Sequence, residues 1–283
     1  MMNYPVTAAG VRTRILQGGR EGPAVILLHG LSARADRWRH NLDTLGAAGV
    51  RAMAIDLPGH GLAHKGVDFD YSAKGYSHWL EALLTELGLE RVVLVGTSFG
   101  GLIAASYAAD HPERVLGLMA VGAIGLVPSG PERCQRTVAW LQEMRRDQIR
   151  ERMKRGVVDQ SLITEELVEE DWRINNSAGA AEAFQALGQY YLNAIDADSA
   201  APRVAALGAR FPTQLVWGEF DQSVAREYGE RAQQTIPDAT LHIVPDCAHF
   251  PYWERPQEFN RLVLDFVRHC TGQSQDRKAE VAA

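Results

Sequence analysis

Apolar residues in this chain fall into short, separated runs: Ala24 to Leu28, Arg51 to Ile55, Arg91 to Val95, Val115 to Val121, Thr213 to Trp217 and Thr240 to Val244. Each is about one strand long and rich in Val, Ile or Leu. Between them lie helix-length segments at Asp36 to Ala48, Ser72 to Leu87, Phe99 to Ala109, Val224 to Gln234 and Pro256 to His269. This alternation predicts an α/β fold, a mostly parallel sheet with helices on both faces.

One stretch breaks the rhythm. From Leu126 to Gly208 no strand pattern occurs, only helix-like sequence. Trp140, Leu141, Met144, Ile149 and Met153 are spaced like one face of an amphipathic helix, and a second pattern surrounds Leu162, Leu167 and Trp172. The economical reading is a helical cap over 126–208 inserted into a core made of 1–125 and 209–283. Its charge is uneven: Pro131 to Arg155 holds eight Lys or Arg against four acids, whereas Asp159 to Glu182 holds seven acids against Arg173 alone. Two solvated faces that attract each other explain this better than an anion-recruiting patch. No repeat or low-complexity block is present, and the polar tail after Cys270 is expected to fray.

Composition narrows the function classes. At about 150 residues per domain, 283 residues make one large domain or two small ones. A hydrophobic content of 46% with 23% charged residues fits a soluble globular chain. The net charge of −6 argues against nucleic-acid or anionic-membrane partners, and no apolar run approaches the length of a membrane span. Arg12 and Arg14 sit in a polar alternation rather than ahead of an apolar leader segment, so a cytoplasmic location is expected. Cys134, Cys247 and Cys270 are widely spaced, which suggests neither a disulfide framework nor a metal site. No cofactor is expected. The partner is a small-molecule substrate, and a homo-oligomer is compatible with the sequence.

After the run Arg91 to Val95 comes Gly96-Thr97-Ser98-Phe99-Gly100-Gly101, followed by a helix-forming stretch. This is G-x-S-x-G between a strand and a helix, the context in which the motif holds a nucleophilic serine above the sheet on a strained turn. Gly96 and Gly100 are needed because a Cβ there would meet neighbouring backbone. A serine hydroxyl requires a base, itself oriented by a carboxylate. In this arrangement acid and base follow the serine in chain order. His249 lies just after the strand Thr240 to Val244, where a base can lean over the sheet. His242 sits inside that strand. His29, His60 and His64 precede the serine, and His29 and His60 read as loop-shaping residues. His40, His78, His111 and His269 fall in helices or at their ends. For the acid, Asp221 follows the strand ending at Trp217; Glu219 projects differently, and Asp246 is too near His249 to orient it from behind. Asp56 precedes the serine and is assigned to organising Leu57-Pro58-Gly59-His60-Gly61. The expected oxyanion donors are the backbone amides of Phe99 and Leu31.

With these residues in place, the chain resembles the α/β-hydrolase superfamily over nearly its full length. More narrowly it is similar to the meta-cleavage product hydrolases, which cut a carbon–carbon bond in ring-opened aromatic compounds. The closest stretches are Asp159-Gln160-Ser161-Leu162-Ile163-Thr164-Glu165-Glu166-Leu167, and Trp253-Glu254 with Glu258-Phe259-Asn260-Arg261-Leu262-Val263. The resemblance implies a cap over a largely apolar cleft, with Ser98, Asp221 and His249 as the catalytic residues. Four features depart from the family pattern. Thr97 stands where Asn precedes the nucleophile, Phe250 where Trp follows the histidine, and Ser32-Ala33-Arg34 where a Gly-Pro-Gly turn is usual. The cap arginine that engages a dienoate falls at Asp171, where a carboxylate is expected to repel an anion; Arg173 lies two residues away and points elsewhere on a helix.

The expected function is a cofactor-independent serine hydrolase cutting a carbon–carbon bond beside a ketone, or a carboxylic ester, in a small, mostly apolar molecule. Gly30, Trp140, Asp171, Phe250 and Trp253 are the expected substrate-binding residues. Rival readings are a lyase or cofactor-free oxygenase on the same scaffold, and a ligand receptor of hydrolase fold. A haloalkane-type dehalogenase is disfavoured because its nucleophile is a carboxylate.

Overall fold

The computed structural model describes residues 1–272; most of the tail expected to fray lies outside the described residues. All six expected strands form. They are β3 (Ala24–Leu28), β4 (Arg51–Ile55), β5 (Val92–Thr97), β6 (Val115–Val121), β7 (Thr213–Gly218) and β8 (Thr240–Val244). Two more precede them, β1 (Met2–Ala8) and β2 (Val11–Gly18), giving an eight-stranded sheet in the order β1-β2-β4-β3-β5-β6-β7-β8. The first pair is an antiparallel hairpin whose two-residue turn, Ala9-Gly10, has φ of 49° and 77°, the positive values that match the twist of flanking strands. Sequence reading took this region only as polar alternation; in β1 that alternation is the period of a strand with one half-covered face. From β4 to β8 the strands are parallel.

Each central strand feeds two cores. Ile26 and Leu28 face one cluster while Val25 and Leu27 face the other, and Leu94 and Val95 divide in the same way. The first core is covered by α2 (Ala73–Glu86) and α3 (Phe99–Asp110), the second by α1 (Leu42–Ala47) and α11 (Pro256–Cys270). In α11, Phe259, Val263, Phe266 and Val267 make one buried stripe at helical spacing. Only part of the segment expected as a helix from Asp36 to Ala48 is α1; before it comes a 3-10 turn, Ala35–Trp38. Between them the buried side-chain amide of Asn41 donates to the Tyr252 carbonyl (3.0 Å) and to Asn260 Oδ1 (2.8 Å).

Between β6 and β7 the chain forms α4 (Pro131–Gln142), α5 (Arg146–Lys154), α6 (Glu165–Asn175), α7 (Ala180–Asn193) and α8 (Ala201–Ala205). The apolar stripe from Trp140 to Met153 is thus two helices, not one. At the break, the Met144 carbonyl accepts from Asn176 Nδ2 (2.9 Å), a side chain replacing the helical bond. α4 packs on α7 and α5 on α6, whereas α8 packs on α3 and α9 (Arg226–Thr235), on the sheet side. The opposed charges pair as expected, with Arg146 on Glu169 and Arg150 on Glu165.

A buried ionic chain joins cap to core. Asp56, fully buried at the end of β4, accepts from Arg14 Nε (2.8 Å), from the Ala35 amide (2.7 Å) and from the Leu62 amide (2.9 Å). Arg14 also binds Asp36, Asp36 lies 3.2 Å from Arg34 Nε, and Arg34 and Arg37 both donate to Asp171 of α6. Beside this chain His29 donates from Nδ1 to the Gly30 carbonyl (2.8 Å) and accepts the Leu57 amide at Nε2 (3.0 Å). Only a neutral ring does both.

No helix among the described residues is long and apolar enough to cross a membrane. Two predictions follow from the joint and the buried imidazoles. Replacing Asp171 with Ala leaves the buried Arg37 guanidinium without its carboxylate, while Arg34 keeps Asp36 and Glu170, and is expected to lower unfolding free energy by about 3–5 kcal/mol, read from urea denaturation. Burial holds His29 and His60 down to about 3, while the unfolded imidazoles keep 6.5. Below pH 6.5 the unfolded state therefore binds protons that the fold does not, and stability falls as pH drops, by roughly 2 kcal/mol per histidine at pH 5. Equal urea midpoints at pH 7 and pH 5 would contradict this.

Candidate active site

Ser98 ends β5 and opens α3 with φ 54° and ψ −119°, a backbone conformation that non-glycine residues rarely adopt. Its amide donates to the Val121 carbonyl (2.9 Å) and its carbonyl accepts from Ile124 N (3.2 Å), so the turn is tied to β6 and the loop beyond. A Cβ on Gly96 would lie 2.2 Å from the Gly100 carbonyl oxygen, and one on Gly100 would lie 2.4 Å from that of Leu28. The turn thus has room for Ser98 only because both neighbours are glycine.

Asp221 and His249 come together from the ends of β7 and β8. His249 Nδ1 lies 2.7 Å from Asp221 Oδ2, while Asp221 Oδ1 accepts the amides of Ser223 (2.8 Å) and Val224 (2.7 Å). Both side chains are buried. With Nδ1 protonated toward Asp221, Nε2 is left as a proton acceptor. Ser98 and His249 border the same cavity. Gly122, which sequence reading passed over, makes the pairing possible: a Cβ there would stand 2.9 Å from His249 Nδ1 and 3.1 Å from Asp221 Oδ2. Asp246 and Glu219 stay out of this contact, since the Asp246 carbonyl binds Arg255 and Glu219 accepts the Asp246 amide.

The loop after β3 supplies the facing wall. Gly30 approaches so closely that a Cβ on it would touch the Ser98 Cβ at 3.0 Å. Among the described residues neither the Leu31 amide nor the Phe99 amide has an acceptor, and Leu31 borders the cavity beside Ser98. His29 and Asp56 bind backbone of this wall, while His60 and Asp56 hold the loop after β4 through the Pro58 carbonyl and the Leu62 amide. Ser32, with φ 52°, offers its carbonyl to Asn175 Nδ2 of α6 (3.1 Å). The cap also reaches the base directly, because the His249 amide donates to the Gly156 carbonyl (2.9 Å).

Of the expected substrate-binding residues, Gly30, Trp140, Asp171 and Phe250 line the cavity. Trp253 does not; its ring lies 5.1 Å from the Arg37 guanidinium carbon and supports that residue from behind. Asp171 lines the cavity, yet it is no bare carboxylate. Arg34 and Arg37 neutralise it, which removes the repulsion expected from the sequence. Arg173 points away, on Glu169. Arg37, Arg133, Arg152, Tyr191 and Tyr252 also line the cavity and were not singled out from sequence. The basic charge of 131–155 was the one available signal for two of them, and it reads first as a solvated face.

A family described as "alpha/beta hydrolase fold" matches residues 23–256. A 2-hydroxy-6-oxononadienedioate/2-hydroxy-6-oxononatrienedioate hydrolase of Pseudomonas putida is 32% identical over 89% of this chain and 90% of its own length. A 2-hydroxy-6-oxo-6-phenylhexa-2,4-dienoate hydrolase of Burkholderia cepacia is 30% identical, with the same coverage. Among solved structures, a meta-cleavage product hydrolase of Pseudomonas fluorescens IP01 superposes with a TM-score of 0.83 at 27% identity, covering 94% of this chain and 97% of that one. The chain belongs to the α/β hydrolase family and is similar, over nearly its whole length, to the meta-cleavage product hydrolases within it.

Proposed function

We infer that this enzyme is a serine hydrolase acting on a small, mostly apolar substrate, at a carbon–carbon bond beside a ketone or at a carboxylic ester. The observation that carries the reading is the buried Asp221–His249 pair opening onto the cavity where the strained turn presents Ser98. The names of the relatives favour the carbon–carbon bond.

In this mechanism His249 Nε2 accepts a proton from Ser98 Oγ, or from a water, as the oxygen attacks the substrate carbonyl. The resulting oxyanion meets the amides of Leu31 and Phe99, two donors held ready, each worth about 3 kcal/mol of transition-state stabilisation. Collapse breaks the bond to the leaving group, an enolate-type carbon or an alkoxide, and the imidazolium returns its proton to it. With Ser98 as nucleophile, water then releases the acyl group by the same proton path. Asp221 stabilises the imidazolium and fixes its tautomer. Phe250 and Trp140 supply apolar wall.

Two variants test these roles. On a panel of 4-nitrophenyl esters and vinylogous 1,5-diketones, Ser98→Ala is expected to lower kcat at least about 1000-fold, and Asp221→Asn about 10⁴-fold, with stability little changed. Full turnover by Ser98→Ala on both substrate types removes the serine from the mechanism. Incorporation of one labelled oxygen from ¹⁸O water into the acid product is the outcome for a hydrolase, and its absence points to a lyase.

A further inference from the structure

Of Ser98, Asp221 and His249, only His249 has its backbone bonded to the cap among the described residues, through its amide on the Gly156 carbonyl (2.9 Å). The rest of its loop is held by the core. Arg255 Nη2 donates to the Asp246 carbonyl (2.8 Å), the Phe220 amide to the Cys247 carbonyl (2.9 Å) and the Trp253 amide to the Phe250 carbonyl (2.8 Å). One side chain spans both sides. Glu254, the last residue of α10 (Pro251–Glu254), accepts the Ala248 amide at Oε2 (2.7 Å) and the cap's Val158 amide at Oε1 (2.5 Å). With the bond from His249 to Gly156, these contacts close a ring through two adjacent loop residues and the cap segment 156–158.

Glu254 has the chemistry for this double grip. Its partners among the described residues are those two amides and the Cys247 thiol, 3.5 Å from Oε2, so its charge serves backbone rather than a cation. Burial, and then the Glu254 charge, push that thiol's pKa up, which keeps it an S–H donor. A carboxylate accepts on both oxygens, whereas an amide side chain would turn an NH2 toward one of the donors. Glu254 does not border the cavity, although His249, Phe250 and Tyr252 near it in the chain do. Any effect it has on the reaction passes through the loop, where a shift of about 1 Å parts His249 Nδ1 from Asp221.

We propose that Glu254 is a positioning residue that makes the alignment of His249 depend on the seating of the cap. This deepens the hydrolase reading and rests on His249 being its base. With segment 156–158 docked, the Ala248 and His249 amides are both held and the imidazole stands against Asp221. With that segment lifted, the His249 amide loses its acceptor and Glu254 loses one of its two backbone donors, so the loop slackens on both sides of the base. Proton transfer is thereby favoured when the cap covers the cavity and water is excluded from it.

The test uses the substrate panel above, with rates taken per folded chain from the circular dichroism of the same samples. Glu254→Ala is expected to lower kcat about 10- to 100-fold with KM within about twofold, and Glu254→Gln, which keeps one acceptor oxygen, to lose less. Arg255→Ala loosens the same loop on its core side alone and is expected to keep kcat within about threefold. A readout independent of turnover is amide hydrogen exchange by NMR. In Glu254→Ala, exchange at His249, whose amide does not touch Glu254, is expected to quicken at least about tenfold along with Val158 and Ala248, while β5 and β6 keep wild-type rates. Unchanged kcat in Glu254→Ala, an equal loss in Arg255→Ala, or wild-type exchange at His249 each overturns the proposal. Should the wild-type chain turn over nothing on the panel, the hydrolase reading fails, and exchange at His249 alone decides whether Glu254 links base to cap.

Discussion

The close approach of backbones at the end of β5 governs the whole active region. Glycines at 96 and 100 allow β5, the first turn of α3 and the end of β3 to meet at distances no side chain tolerates. Gly101 extends the same constraint to the segment after β6, where a Cβ would meet Ala123 Cβ at 2.4 Å. With those contacts fixed, Ser98 has one place to go, its backbone held in a conformation that an isolated chain avoids. The loop of Gly30 and Leu31 and the bend at Gly122 are then placed relative to it, and with them the proposed oxyanion donors and the Asp221–His249 pair.

Upon this framework the cap adds chemistry as well as cover. It touches the core through backbone at Gly156 and His249, through Asn175 and Ser32, and through the arginines around Asp171. Gly156 also has a packing reason to be glycine: a Cβ would lie 2.2 Å from the Phe250 ring. The same helices that shelter the cavity thus hold the base and the loop carrying a proposed oxyanion donor. Electrostatics there are decided by pairing more than by sign. A carboxylate on the wall is silent when two arginines bind it.

The sheet was legible because parallel strands covered on both sides carry uninterrupted apolar runs, as in Val92 to Val95 and Leu118 to Val121. The strained turn at Ser98 and the meeting of Asp221 with His249 were legible because a strand, a turn and a chain order constrain which residues can meet. The hairpin of β1 and β2 was not singled out, since its alternation with polar residues is a weaker signal than a continuous run. Asp171 misled for a different reason. Its partners Arg34 and Arg37 lie more than 130 residues away in the chain, and nothing local announces them. The charge-rich helix from Arg146 likewise hides two kinds of arginine, those on Glu169 and Glu165 and the one turned toward the cavity.

The ionic chain from Asp56 through Arg14, Asp36 and Arg34 to Asp171 links the end of β4 and the strand β2 to a cap helix. Such wiring bears on how the two parts can be inherited. A cap taken from a relative with a cation at position 171 would set it against Arg34 and Arg37, so the segment could not be exchanged as a free-standing cassette. Positions in the first forty residues would have to change with it. A change of charge on this wall is thereby tied to paired replacements on both sides of the cavity, at position 171 in the cap and at positions 34 and 37 in the core.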